Sequence, residues 1–365
     1  MGSPPRSTPT PGEPSDSRGL AGPADAAVIA VSATRPALIW SALLIVYLVW
    51  GSTYLAIAIV VDSMPPLLSA GGRFLLAGAL VAGFLALRLG PRVLALSRDQ
   101  VLGSGFVGLA LLLGGNGLVV LGERDVPSGL AALIIAVVPL WVILLRLLFR
   151  EQVARGTLVG VLIGFAGVAV LVVPGGISGA VDLAGMLMLV VAGASWAVGS
   201  YYSKRLALPR NPFVSTAAQM VAGGLGLVVV GLLAGELGML GSGQAFATES
   251  VIALAYLVVF GSILAFSAYT WLLQHAPVSK VATYAYVNPV VALILGVAFR
   301  NEAIGLAIVL GGAMIVVAVG LVIRTESRPR VSVGALDAPP MQGALPANVE
   351  GADDESAEPT ISRSG

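Results

Sequence analysis

Apolar residues run along this 365-residue chain in long blocks separated by short breaks that carry prolines and charges. Ten blocks predict helices at about 37–61, 66–87, 101–122, 128–148, 157–173, 183–203, 213–235, 250–274, 279–299 and 303–323. A hydrocarbon core of about 30 Å takes roughly 20 helical residues to cross, and nearly every block meets that length. The fifth block is short and recruits Arg155 as a snorkelling end. Residues 1–36 are rich in Pro, Ser, Gly and Thr without a helical period and read as a disordered tail. They make a poor signal peptide, because Pro23 and Asp25 break the apolar stretch from Leu20 to Ala33. Residues 324–365 form a second disordered tail, and every internal break is short, so no soluble domain is inserted.

Composition strengthens this picture. Hydrophobic residues make up 57% and charged residues 11% of the chain, too little charge to keep a soluble surface wet. The net charge of +1 says nothing about nucleic acid, and none is expected as a partner; the position of the charges is what informs. With the N-terminus inside, the cytoplasmic loops and flanks hold Arg88, Arg92, Arg98, Arg146, Arg150, Arg155, Lys204, Arg205, Arg210, Arg324, Arg328 and Arg330. The opposite side holds Arg124 and Arg300. The positive-inside rule therefore predicts an all-α polytopic protein of the inner (plasma) membrane with both termini cytoplasmic.

The blocks divide into five plus five. Pro127 and Pro139 recur at the same separation as Pro277 and Pro289. Phe149-Arg150-Glu151 recurs as Phe299-Arg300-Asn301-Glu302 with one insertion, and Trp50-Gly51-Ser52 is echoed by Trp196 with Gly199-Ser200. A unit with an odd number of spans repeats inverted, which gives a first repeat at 37–173, an external linker at 174–182 and a second repeat at 183–323. Many secondary transporters are built this way, with the site near the midplane between the halves. Pro139 and Pro289 each lie about eleven residues into their span, ~17 Å at 1.5 Å per residue. They predict hinges that free the carbonyls of Ile135 and Ala285 toward protein or a wet cavity; the alternative is a kink used only in packing.

Several strings resemble one family. These are Phe260-Gly261-Ser262-Ile263-Leu264-Ala265-Phe266, Tyr269, Trp271-Leu272-Leu273 and Thr283-Tyr284-Ala285-Tyr286-Val287-Asn288-Pro289-Val290-Val291. With Trp50-Gly51-Ser52-Thr53-Tyr54-Leu55-Ala56, Arg73-Phe74 and Gly115-Asn116-Gly117, they resemble the EamA-type branch of the drug/metabolite transporter superfamily over about residues 38–323. The resemblance implies ten helices in two inverted five-helix repeats and export of amino acids, drugs or other small metabolites. Arg300-Asn301 before Glu302 departs from the Gly-Glu pair more usual in that family and leaves the conformation of this loop open. A family fixes a fold and a broad activity, not a substrate.

Candidate substrate-binding residues follow from polar and aromatic side chains inside spans. Tyr284 and Asn288 are four apart and share a face beside Pro289, while their first-repeat counterparts, Ile134 and Val138, are apolar. Asn288 lines a cavity or bonds a neighbouring helix. Arg73 lies about 10 Å into its span and binds a carboxylate, snorkels, or holds the fold. Trp50 and Tyr54 share a face of the first span, and Trp196 is too deep for the interfacial belt that suits Trp40. Asn116, Gln219 and Tyr269 serve packing or substrate contact. Gly156, Gly160 and Gly164 form a small-residue stripe that reads as helix packing, with a homodimer face as the alternative.

What is missing narrows the function. No cysteine and a single histidine, His275, remove disulfides, thiolate metal sites and a His-rich metal site, and no cofactor is expected. His275 is expected in a cytoplasmic loop. No span carries an Asp pair or a His-Glu-x-x-His motif for an intramembrane enzyme, and no nucleotide-binding loop is present. Glu123, Glu151 and Glu302 all lie near span ends, so proton coupling has only Glu123 or Glu302 to use, and a facilitator or exchanger is an equal reading. The expectation is alternating-access transport of a small molecule, the alternative a channel or lipid scramblase.

Overall fold

The computed structural model describes Gly2 and residues 36–172, 182–240, 246–276, 278–281 and 283–326. Pro277, most of the linker at 174–182 and nearly all of the two expected tails lie outside the described residues. Among the described residues there are helices and no strands. Eight helices are long and apolar enough to cross a membrane: α1 (Pro36–Val61), α2 (Pro66–Leu89), α3 (Arg98–Gly122), α4 (Ser128–Leu148), α6 (Leu183–Tyr202), α7 (Pro212–Leu233), α8 (Thr248–His275) and α10 (Leu306–Glu326). Two more apolar helices are shorter, α5 (Arg155–Val172) and α9 (Tyr284–Arg300). Outward-facing residues such as Leu162, Ile252, Ile294 and Val317 are exposed, as helices solvated by lipid require.

Helix starts are set by local chemistry. Asn211 accepts from the amides of Phe213 and Val214, Asp182 accepts from Gly185, and Ser97 with Gln100 forms a capping box. Two starts are capped from far along the chain. The Glu236 carboxylate accepts from the amides of Leu67 (3.1 Å) and Leu68 (2.8 Å) at the start of α2. Glu302 accepts from the amides of Ser128 (2.8 Å) and Gly129 (2.9 Å) and from the Ser128 hydroxyl (2.7 Å) at the start of α4. A carboxylate on the free N–H groups of a helix start meets both unsatisfied donors and the positive end of the macrodipole.

Helix pairing follows a regular pattern. α2 packs along α7 and α5 along α10; α1 packs on α9 and α4 on α6; α4 also meets α9. The glycine stripe of α5 is spent inside the chain. A side chain at Gly156 would meet Thr325, and one at Gly160 would meet Val322 at 2.7 Å and the Ala318 carbonyl at 3.0 Å. The stripe is thus covered by α10 and is not a free homodimer face.

The two expected hinges differ. α4 is interrupted at Ala136–Val137, two residues before Pro139, so it consists of Ser128–Ile135 and Val138–Leu148. Pro289 differs: it lies inside α9, which is assigned as helix from Tyr284 to Arg300. Arg150 and Asn301, each just before a glutamate, both take left-handed backbone (φ 58° and 53°). That explains why a glycine suits the position before Glu302: Asn tolerates the left-handed region and Arg pays for it. Arg150→Gly is expected to stabilise the folded protein by ~1 kcal/mol, read as a raised unfolding midpoint in detergent. An unchanged or lowered midpoint would show that the Arg150 side chain compensates the strain.

Candidate functional site

Three helices, α1, α3 and α8, carry π-helical segments, at Val46–Trp50, Leu109–Gly117 and Leu257–Phe266. A π turn misaligns the backbone ladder and is common at functional sites. In each segment one carbonyl takes a side-chain donor from a neighbouring helix. Trp50 Nε1 donates to Gly261 O (3.3 Å), and Ser195 Oγ donates to Ala110 O (2.8 Å). The Asn288 amide, with its nitrogen turned to the carbonyls, donates to Tyr47 O (3.1 Å) and Tyr284 O (3.2 Å). These bonds tie α1 to α8, α6 to α3 and α9 to α1.

Between these helices lies a small pocket of about 70 Å³. Its walls include Trp50, Tyr54, Arg73, Asn116, Trp196, Tyr284 and Asn288, seven of the nine substrate-binding candidates. Arg73 is buried: its Nε donates to Ser262 Oγ (2.8 Å) and its guanidinium lies 4.6 Å from the Phe74 ring centre, which removes the snorkelling alternative. Asn116 Oδ1 is buried with no hydrogen-bond partner. Asn288 both lines the pocket and bonds α1, so the two roles weighed for it coexist.

Four aromatics cluster at the pocket, three of them, Trp50, Trp196 and Tyr284, in its wall. Trp50 stands edge-on to Trp196 (5.6 Å) and Tyr284 (5.5 Å) and lies 4.8 Å from Tyr269, and Tyr269 stands edge-on to Tyr284 (5.9 Å). Such pairs add ~0.5–1.5 kcal/mol each beyond area burial. Past Tyr269 and Tyr284 the space widens into a vestibule of about 410 Å³, lined by Pro139, Ser200, Lys204, Arg205 and Glu151. A second vestibule of about 520 Å³, lined by Ser200, Tyr269, Arg210 and Gln219, lies beside it. Gln219 faces that side space and not the aromatic pocket, and it donates to Ser215 Oγ (2.9 Å), the packing alternative weighed for it. Tyr269 lines both vestibules and packs on Trp50 and Tyr284 of the pocket wall.

The vestibule end is basic, and Glu151 organises it. Its carboxylate accepts from Tyr201 Oη (2.9 Å), Arg146 Nε (3.0 Å) and Arg205. The bonds from Tyr201 and Arg146 hold this carboxyl below the usual range. His275 sits at this end, exposed and stacked on Trp271.

The opposite end is shut. Glu302 holds the start of α4, Arg300 pairs with Asp62 (2.6 Å) between α9 and α1, and Ser63 with Ser250 (2.8 Å) ties α1 to α8. Met64, Val126 and Ser128 beneath these bonds are buried. The recurring Phe-Arg…Glu string singled out Glu151 without a role, and Glu302 was weighed only for proton coupling; the structure has both as ties at opposite ends. Asp62, Glu236 and the Ser63–Ser250 pair were not foreseen, since only the fold brings their partners near. Among the described residues no three His, Asp or Glu side chains converge as metal ligands.

With this geometry in place, comparison with known proteins is informative. The model of the EamA-like transporter family matches residues 37–173 and 183–324. The "Uncharacterized inner membrane transporter YedA" of Escherichia coli K12 is 40% identical over 286 residues, 78% of this chain and 90% of that one. A "Probable amino-acid metabolite efflux pump" of Salmonella typhimurium is 27% identical over 287 residues, 75% of this chain and 91% of that one. One crystal structure, 20% identical, superposes with a TM-score of 0.55 over 80% of this chain and 98% of its own, a likeness of fold.

The absence of native cysteine makes access testable. Ser200→Cys is expected to react with a membrane-impermeant maleimide from one side of the membrane, and Asn116→Cys to react slowly from either. Adding Glu302→Gln to Asn116→Cys removes the carboxylate charge that α4 binds and should speed labelling from the side opposite Ser200. Fast labelling of Asn116→Cys from the far side without Glu302→Gln would contradict a shut end.

Proposed function

The chain belongs to the EamA-like transporter family and is a membrane transporter, and from that premise we propose that it is a secondary carrier that exports small metabolites, amino acids or drugs by alternating access. The amino-acid reading leans on the printed name of the Salmonella relative. Ten helices as two inverted five-helix repeats are part of the proposal. The helix pairing supports it: exchanging each helix for the one five places on maps α1–α9 onto α6–α4 and leaves α2–α7 and α5–α10 unchanged. A basic vestibule end facing the cytoplasm, with both termini there, agrees with the positive-inside rule.

One observation carries the reading. The polar and aromatic side chains of six helices converge on a pocket with bonded contacts toward one end and vestibules toward the other. A binding site that communicates with one face at a time is what alternating access requires. The gate on the far side, in this reading, is Glu302 on α4 with Arg300 on Asp62. The interruption of α4 at Ala136–Val137 allows its first half to move apart from the second.

The test is counterflow of labelled amino acids, other small metabolites and cationic drugs in proteoliposomes. Saturable counterflow of one compound is expected. Trp196→Ala, which removes a wall of the pocket, should lower it about tenfold, the equivalent of ~1.4 kcal/mol, at unchanged membrane expression. Flux that fails to saturate and shows no counterflow would make the protein a channel. Normal counterflow in Trp196→Ala would move the site elsewhere.

A further inference from the structure

Among the buried titratable groups, Glu123 stands apart. It follows the last residue of α3, beneath the shut end, and is 4% exposed. Both carboxyl oxygens are buried, and neither has a hydrogen-bond partner. Glu302, Glu236 and Glu151, also near span ends, are engaged: Glu302 and Glu236 on helix starts, Glu151 on Tyr201, Arg146 and Arg205. An ionised carboxylate without hydrogen bonds is costly to bury, whereas the neutral acid is far cheaper.

Asn116, Val119 and Glu123 fall on one face of α3 by their spacing, and Asn116 and Val119 line the aromatic pocket. Glu123 is therefore the next group along that face toward the shut end. The charged and titratable groups around it come from each neighbouring element: Arg73 on α2, Tyr54 on α1, Arg300 and Glu302 at the end of α9. Arg124 and Asp125 follow it in its own loop and are exposed. On α6, which packs against Gly122, the carboxylate at the start is Asp182, occupied on Gly185 N (2.7 Å). Arg73 gives its Nε to Ser262.

We propose that Glu123 is a proton-binding site: it takes a proton from water when the Glu302 end is open and is sealed in as the neutral acid when that end shuts. Burial and the nearby Glu302 carboxylate push its carboxyl well above the usual carboxylate range, against the pull of Arg300 and Arg73. The proton simply adds to one carboxylate oxygen, so the step needs no other reactant. Without the proton, the charge disfavours closure over a dry site; with it, the end closes. Linking this to substrate movement rests on the carrier reading above, but proton binding itself does not.

The test is a pH titration of the full chain in lipid, followed by infrared spectroscopy of the carboxylic-acid carbonyl band. The wild type should show a buried-acid band that disappears as pH rises. Glu123→Gln should lose that band, and Glu302→Gln should keep it. If Glu123→Gln is not recovered as folded protein, Glu123→Asp should shift the midpoint of the same band. A band unchanged in Glu123→Gln, a midpoint unmoved in Glu123→Asp, or no titrating band in the wild type would overturn the proposal. The band is read without any flux, so its failure and the failure of counterflow are separate results.

Discussion

The arrangement depends on one carboxylate. Glu302, just past the end of α9, accepts from two backbone amides and one hydroxyl at the start of α4. Ser128 is buried at this contact, so these donors have no access to water and must be met by protein. A charge-assisted bond of this kind contributes ~1.5–3 kcal/mol when intact. The same groups left dry and unpaired would cost comparably, so parting this contact requires that water reach them. A pocket lined by Trp50, Trp196, Tyr284 and Arg73 lies behind it, and in the proposed carrier this contact is the gate on that side.

The two ends use like chemistry differently. Glu151 and Glu302 each follow a residue in left-handed backbone that ends a helix. Glu302 is spent on helix amides and holds an end closed, while Glu151 is spent on Tyr201, Arg146 and Arg205 around an open vestibule. Between them lies the aromatic cluster, and its rings are held by bonds from Trp50 and Asn288 to carbonyls within π-helical segments. Irregular backbone at this depth is tolerated because protein donors satisfy it. The price of a binding cavity inside a membrane is thus met by side chains drawn from other helices.

The helices were legible in the chain because the bilayer imposes a length and an apolar requirement that local sequence must meet. The site candidates were legible for a related reason: a polar or aromatic side chain is conspicuous inside an apolar run, and seven of nine fall on one pocket. Gln219 was equally conspicuous but faces a side vestibule, because helix spacing names a face and not its neighbour. The two mid-span prolines sit differently in their helices. α9 passes through Pro289 unbroken, while α4 breaks two residues before Pro139. Glu123 and Glu302 looked alike as span-end carboxylates; only the fold shows one bound three times and the other bound by nothing.

The most direct test of a carrier with alternating ends is a pair of distances measured by pulsed electron resonance on the reconstituted protein. One spin-label pair would sit at the shut end, on Asp125 and Ala303, and the other at the vestibule end, on Arg150 and Gln274, all exposed positions. The account predicts two populations for each pair, with conditions that lengthen the Asp125–Ala303 distance shortening the Arg150–Gln274 distance. A shut-end distance that stays single and short under every pH and ligand condition, or both distances lengthening together, would contradict it.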